Sequence, residues 1–178
     1  IAGHDVLALR ITYSGELGWE LHGPSDAALD VYDALMGAGQ VEGICNAGYR
    51  AIESLRLEKG YRAWGSDIGP DYTPLEAGLG WAVKKDSNVA FLGRDALNEQ
   101  RQTGVRKRLA CFTVDDPATV LLGRETIYRD GRQAGWLSSA GWGDTLGKAI
   151  GYGYVRSDEV LSAAELLASD YQLEVETE

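Results

Sequence analysis

The sequence predicts an α+β protein of two structural units, an α+β unit over residues 1–104 and a small antiparallel β-barrel or sandwich over residues 105–178. Strand-like and helical periods alternate in the first unit, whereas short strand patterns separated by turns dominate from Arg108 onward. The 178 residues, 44% of them hydrophobic and 25% charged, are enough to bury a core.

Two short strands open the chain. Apolar residues alternate over residues 7–13, and a glycine-rich reversal leads to a second strand that carries Trp19 and Leu21. Successive side chains of a strand point to opposite faces, so Glu20 and His22 share one face and Trp19 and Leu21 share the other. If Trp19 and Leu21 face the core, Glu20 points away from it.

Two helices follow these strands. Apolar residues recur at helical spacing after Ser25, which we predict as the N-cap, and Gly37 and Gly39 end the helix. A second helix is predicted from Asn46 to Gly60, because glycine is common directly after a helix.

The next segment is a long loop, Trp64 to Gly80, which is rich in Gly, Pro and Asp. Loops of this length more often carry functional residues or line the surface than serve only as connections. We predict a strand over Trp81 to Lys84 and a polar helix over Gly93 to Gly104.

The second unit is predicted to contain five short strands. Arg129-Asp130-Gly131-Arg132 indicates a hairpin, because Asp-Gly tolerates the positive φ values of tight turns. Residues 157–168 are helix-prone in composition but lie where a barrel needs turn and strand, so both assignments stand. The predicted strands are Leu109 to Val114, Thr126 to Tyr128, Ala134 to Leu137, Ala149 to Val155 and Tyr171 to Val175.

The charge of the chain makes two classes of partner unfavourable. A formal net charge of -10 and a pI near 4.7 disfavour nucleic acid and anionic membrane surfaces. No apolar run of about 20 residues or secretory signal occurs, so we expect a cytoplasmic protein, or a mitochondrial matrix protein if the source is eukaryotic. The chain starts at Ile1 and stops at Glu178 directly after a strand pattern, so we expect a fragment with a truncated second unit.

Motifs for several kinds of chemistry are missing. His4 and His22 lie outside any cluster with ligand spacing, so we predict no metal site. No phosphate loop, dinucleotide fingerprint or Gly-x-Ser-x-Gly elbow occurs.

Acidic and cysteine side chains have ordinary structural explanations. The loop carboxylates Asp67, Asp71 and Glu76 are expected to be solvated or capping groups. Cys45 and Cys111 lie among apolar neighbours, so we expect reduced, buried thiols.

Five ordered motifs resemble the folate-binding aminomethyltransferase family, which includes the glycine cleavage T-protein, and the resemblance covers nearly the whole chain. The Leu-Glu-Lys-Gly-Tyr-Arg-Ala-Trp-Gly version of the second motif is similar to the branch fused behind flavin domains, the dimethylglycine and sarcosine dehydrogenases and oxidases. The motifs are Tyr13-Ser14-Gly15-Glu16-Leu17-Gly18-Trp19-Glu20-Leu21, Ser54-Leu55-Arg56-Leu57-Glu58-Lys59-Gly60-Tyr61-Arg62, Trp64-Gly65-Ser66-Asp67, Pro74-Leu75-Glu76-Ala77-Gly78-Leu79 and Phe91-Leu92-Gly93-Arg94-Asp95-Ala96-Leu97.

The resemblance implies a ferredoxin-like folate-binding domain, of which residues 1–104 form the C-terminal part, followed by a C-terminal β-barrel. It also implies that Glu20 is the glutamate that binds the pterin of tetrahydrofolate. One ionised carboxylate can accept both parallel donors of the pterin edge. The resemblance suggests His22 and Tyr13 as further cofactor-binding residues, although Tyr13 is equally well explained as a core aromatic.

The same resemblance places other parts of the chemistry outside these residues. The catalytic aspartate of the family and the FAD of the flavin-fused branch belong to upstream segments, so we predict no catalytic residue here and a fragment that is inactive alone. Ile52 stands where the glycine cleavage proteins carry an arginine that holds the folate tail, which favours the flavin-fused branch.

The implied function is the tetrahydrofolate-binding portion of an enzyme that oxidises dimethylglycine or sarcosine at a flavin and transfers the one-carbon unit to tetrahydrofolate. The implied partners are the cofactor, the amine substrate and the missing N-terminal domains. Two alternatives remain: a stand-alone glycine cleavage aminomethyltransferase, and a non-catalytic folate-binding regulatory protein. Lys59-Gly60-Tyr61-Arg62 lacks the cysteine of the regulatory branch.

Overall fold

A computed structural model describes residues 1–84, 86 and 89–175. Two compact units make up the chain, Ile1–Tyr61 and Arg62–Glu178. Both contain helix and strand, and the fold class is α+β as predicted.

The first unit contains two strands and two helices. Strands β1 (Leu7–Leu9) and β2 (Glu20–His22) pair antiparallel. Helix α1 spans Ala28–Gly39 and helix α2 spans Tyr49–Glu58. The order of elements is therefore the predicted one, with a shorter first strand.

Three details of this unit differ from the expectation. Ser25 is not an N-cap but the first residue of a 3₁₀ turn, Ser25–Ala27, which leads directly into α1. Helix α2 begins at Tyr49 rather than Asn46, after the extended residue Gly48. The side chain of Trp19 is not in the core, because 59% of its surface is exposed.

The second unit begins with the loop and a helix. Helix α3 spans Arg94–Thr103, in agreement with the prediction. The predicted strand over Trp81 to Lys84 is wrong: a 3₁₀ turn, Gly80–Ala82, occupies the position, and Trp81 is exposed. A short apolar run cannot distinguish a strand from a turn by its period alone.

A five-stranded antiparallel sheet dominates the second unit, with strand order β3-β6-β5-β4-β7. The predicted Asp-Gly turn joins β4 to β5, and Asp130 and Gly131 have φ values of 50° and 76°. The strands are β3 (Lys107–Thr113), β4 (Thr126–Arg129), β5 (Arg132–Gly143), β6 (Lys148–Arg156) and β7 (Tyr171–Glu174).

The ambiguous segment before β7 contains a helix, α4, spanning Ala163–Ala168. A capping box decides the assignment: the Ser162 hydroxyl accepts from the Glu165 backbone N–H, and the Glu165 carboxylate accepts from the Ser162 backbone N–H. The sheet contributes most of the buried core of this unit. The core consists of Leu121, Ile127, Leu137, Ala149, Val155 and Leu161.

Neither cysteine is buried, so that expectation is wrong. Cys111 lies on β3, an outer strand of the sheet, and Cys45 lies in the loop before α2. Within the described ranges, no helix is long and apolar enough to cross a membrane.

Candidate functional site

Glu20 and His22 occupy the same face of β2. The Glu20 Oε2 atom lies 3.3 Å from His22 Nε2, and the two side chains are 48% and 54% exposed. The alternation of a strand predicts this arrangement, and the structure brings the two side chains together.

Two leucines of β1 accompany this pair. Leu9 is the register partner of Glu20 and Leu7 that of His22, and directly opposed residues of an antiparallel pair share a face. Both leucines are exposed. The face therefore presents a carboxylate and an imidazole beside apolar side chains, and we call it the Glu20 face.

Leu21 lies on the opposite side of β2. It lines a cavity of about 270 Å³ together with Val6 of the same unit and Val31 and Leu35 of α1. Leu21 thus faces α1 as expected, whereas Trp19, which was expected to share this face, is exposed, and the face of Glu20 is left open.

The reversal before β2 is held by α2. Gly15 has a φ of 77°, and a Cβ atom there would lie 2.0 Å from Lys59 Cγ, so only glycine fits. The Lys59 ammonium lies 3.1 Å from Glu16 Oε1. The residue that follows α2, Lys59, therefore holds in place the turn at Gly15 and Glu16 that precedes β2.

Tyr13 packs against an aromatic neighbour. Its ring stacks on Tyr61, with centroids 5.9 Å apart and an interplanar angle of 15°. Such packing is compatible with the core-aromatic explanation, and its ligand role stays a prediction.

Arg56 is a structural residue that sequence reasoning left without a role. Its side chain is 2% exposed, and it donates to Glu53 Oε2 at 3.0 and 2.8 Å and to the Tyr61 carbonyl at 3.1 Å. This guanidinium holds the chain as it leaves α2. Its position in the Ser-Leu-Arg-Leu-Glu motif carried no signal that it would be buried.

Asp67, in the second unit, is fully buried at 0% exposure, so the expectation of a solvated group is wrong. Its carboxylate accepts from the Ala63 backbone N–H at 3.0 Å and from the Ser138 hydroxyl. The Tyr154 hydroxyl donates to the Asp67 carbonyl at 2.9 Å. Asp67 therefore ties the Trp-Gly-Ser-Asp segment to the sheet.

Tyr154 also belongs to an aromatic stack on the sheet. Its ring lies 4.1 Å from that of Tyr72, and the Lys107 ammonium lies 4.6 Å from the Tyr72 centroid. Burial, with further contributions from Tyr72, Glu76 and Asp67, raises the pKa of Tyr154 well above its ordinary value. Tyr154 therefore remains a neutral hydrogen-bond donor at physiological pH.

Glu76 is a capping group, as predicted. Its carboxylate accepts from the Thr73 backbone N–H at 2.9 Å, and the Thr73 hydroxyl accepts from the Glu76 backbone N–H at 3.2 Å. Its contact with Lys107 at 3.6 Å links this turn to β3.

Comparison with known families supports the motif analysis. Residues 1–87 match the model described as the GCVT N-terminal domain, and residues 107–178 match the glycine cleavage T-protein C-terminal barrel domain.

Two curated relatives are dehydrogenases. The chain is 52% identical to mitochondrial sarcosine dehydrogenase of Mus musculus over 155 residues, which is 87% of the chain and 17% of that protein. It is 41% identical to mitochondrial dimethylglycine dehydrogenase of Homo sapiens over 150 residues, which is 84% of the chain and 17% of that protein. The chain thus spans about a sixth of the length of these relatives.

A solved structure shares the fold. The crystal structure of glycine cleavage system aminomethyltransferase T from Bartonella henselae superposes with a TM-score of 0.76 at 30% identity, covering 85% of this chain and 42% of that one.

Proposed function

Because the chain belongs to the glycine cleavage T-protein family, we propose that it forms the tetrahydrofolate-binding portion of an enzyme that oxidises an N-methylated glycine. The similarity to sarcosine and dimethylglycine dehydrogenases supports either of these amines as substrate, with a flavin as the oxidant. Tetrahydrofolate, when bound, supplies the amine that accepts the one-carbon unit.

The Glu20 face is the observation that carries this proposal. Glu20 Oε2 contacts His22, whereas Oε1 meets no hydrogen-bond donor among the residues that the structure describes. A carboxylate with an open oxygen fits the donor edge of a pterin, and Leu7 and Leu9 offer apolar contact to a ring system.

Each side chain has a distinct proposed task. Glu20 binds the pterin edge, and His22 restricts the Glu20 carboxylate to one orientation. Tyr13, stacked on Tyr61, supports the strand that leads to the turn. The site must hold the cofactor in a fixed orientation and exclude water, because water would otherwise react with the one-carbon electrophile.

Oxidation and proton transfer are assigned to segments outside this chain. Its sequence has no dinucleotide fingerprint that would hold FAD. We therefore propose that the full gene product carries a flavin domain and the family's catalytic aspartate upstream, and that residues 1–178 are inactive alone. For a eukaryotic source we propose the mitochondrial matrix, in line with the names of the relatives.

A stand-alone aminomethyltransferase is the second candidate. The structural similarity to the Bartonella henselae protein favours it. The two candidates differ in flavin content: the full gene product of the first, once purified and denatured, releases a flavin with its characteristic absorbance, and that of the second does not.

Equilibrium binding of tetrahydrofolate to the full gene product tests the site. Glu20→Gln keeps the shape of the side chain but loses its charge, so we expect affinity to fall by at least tenfold. Glu42→Gln is the matched control, because Glu42 is an exposed carboxylate of the same unit, in the 3₁₀ turn Gln40–Glu42 after α1, and it should bind within twofold of wild type. Equal affinities of wild type and Glu20→Gln would exclude the assigned role.

A further inference from the structure

A second cleft lies in the sheet unit. It has a volume of about 580 Å³ and is bordered by Ser66, Gln133 and the side chains of Arg124, Trp136 and Arg156. An adjoining hollow of about 700 Å³ shares Gln133, Trp136 and Arg156. We call the first of these the Arg124–Arg156 cleft.

This cleft is cationic although the chain carries a net charge of -10. Among the described residues, neither the Arg124 nor the Arg156 guanidinium has a carboxylate oxygen within 4.0 Å. Arg156 instead stacks on Trp136, with its Cζ atom 4.6 Å from the ring centroid. A stacked guanidinium keeps its edge and its five N–H donors available to a ligand.

Other arginines of the same unit are used differently. Arg129 donates to the Ser169 hydroxyl and contacts Asp130, and Arg108 donates to the Leu161 carbonyl. These side chains link neighbouring segments of the chain through hydrogen bonds and an ion pair. Among the described residues, the guanidinium groups of Arg124 and Arg156 make no such hydrogen bond or ion pair, and the one contact of Arg156, its stack on Trp136, leaves its N–H donors open to a ligand.

We propose that the Arg124–Arg156 cleft binds a small dicarboxylate. Two guanidinium groups can each take one carboxylate in a bidentate fork, and the Trp136 ring, 50% exposed, offers apolar surface to the carbons between them. Phosphate sites typically add backbone N–H groups at a helix N-terminus. No helix begins among the residues that border this cleft, so carboxylate is the better match.

The dicarboxylate could be a free acid or the glutamate part of a folate. The proposal does not rest on the Glu20 assignment, because both sources can be probed without a pterin. Glutarate represents the free acid, and 4-aminobenzoylglutamate represents the folate part.

Calorimetric titration of the full gene product with each probe tests the proposal. We expect saturable binding of at least one probe, a loss of threefold or more in Arg124→Gln and in Arg156→Gln, and a loss of tenfold or more in the double variant. Tighter binding of glutarate identifies a free acid as the ligand, and tighter binding of 4-aminobenzoylglutamate identifies a folate.

Lys148→Gln is the control. It removes one positive charge at the other end of β6, where Lys148 pairs with the exposed Asp115, and it should bind both probes within twofold of wild type. Wild-type protein that binds neither probe would overturn the proposal. So would a double variant that binds like wild type, or inorganic phosphate that binds as tightly as the better probe.

Discussion

The Glu20 carboxylate and the His22 imidazole share the open face of β2, with Oε2 and Nε2 3.3 Å apart. A contact of 3.3 Å between the imidazole and one carboxylate oxygen restricts the rotation of the side chain and leaves the second oxygen to a ligand. His22 is therefore a positioning residue in the proposed folate site.

Replacing His22 tests this positioning role. We expect His22→Phe to weaken tetrahydrofolate binding by about two- to fivefold, less than Glu20→Gln, because a contact between two half-exposed side chains contributes only about 0.2–1 kcal/mol. His22→Gln retains a donor and should bind within twofold of wild type. Fluorescence or calorimetric titration of the full gene product measures both, and unchanged binding in His22→Phe would show that the imidazole does not act on Glu20.

Asp67→Asn should destabilise the second unit. The buried carboxylate accepts from the Ala63 N–H and the Ser138 hydroxyl, and an amide can place only one acceptor oxygen there. We expect a loss of about 1–3 kcal/mol in the free energy of unfolding, measured by urea denaturation. Asp71→Asn, an exposed neighbour in the same loop, should leave that free energy nearly unchanged. If both variants are equally stable, the carboxylate contacts do not hold the loop.

Acid stability should depend on Glu125. Burial raises its pKa, but backbone N–H groups of Leu122, Glu125, Arg124 and Gly123 outweigh burial and bring the pKa below its ordinary value. A carboxylate with a lowered pKa in the folded state stabilises that state above its unfolded pKa, and the contribution is lost as the pH falls through the folded pKa.

Urea midpoints measured against pH check this dependence. Glu125→Gln should be less stable than wild type at neutral pH, and the difference should shrink once the pH falls below about 4. The exposed Glu159→Gln serves as the control and should follow wild type throughout. A difference between Glu125→Gln and wild type that is constant with pH would contradict the assignment.

Gly153 of β6 should not tolerate a side chain. A Cβ atom there would lie 2.5 Å from the Trp136 carbonyl oxygen and 2.5 Å from Ile127 Cδ1. Gly153→Ala should therefore cost about 1–3 kcal/mol of unfolding free energy. Gly37→Ala in α1 is the opposite case, because the space around Gly37 is open and alanine favours a helix, so it should be neutral or stabilising. A stable Gly153→Ala protein would show that β5 and β6 can separate.

Local rules predicted much of this architecture from the sequence. Strand alternation placed Glu20 and His22 on one face, and the Asp130-Gly131 pair predicted the hairpin, because both depend only on neighbouring residues. The ambiguous segment before β7 was decided by Ser162 and Glu165, a capping box that is legible in the sequence.

Features that depend on distant residues could not be predicted in this way. The burial of Asp67 follows from contacts with Ser138 and Tyr154, which lie 71 and 87 residues further along the chain. The Arg156–Trp136 stack requires the register of β5 on β6. The domain boundary between residues 104 and 105 stays a prediction. The structure instead divides the chain into two compact units between residues 61 and 62.

A structure of the full gene product with bound tetrahydrofolate tests the central claim most directly, through the distance between the Glu20 carboxylate and the pterin. The account predicts that the carboxylate oxygens lie about 3 Å from the pterin ring N–H and its amino group. A pterin bound elsewhere, with the Glu20 carboxylate in contact with water or with another side chain instead, would contradict it.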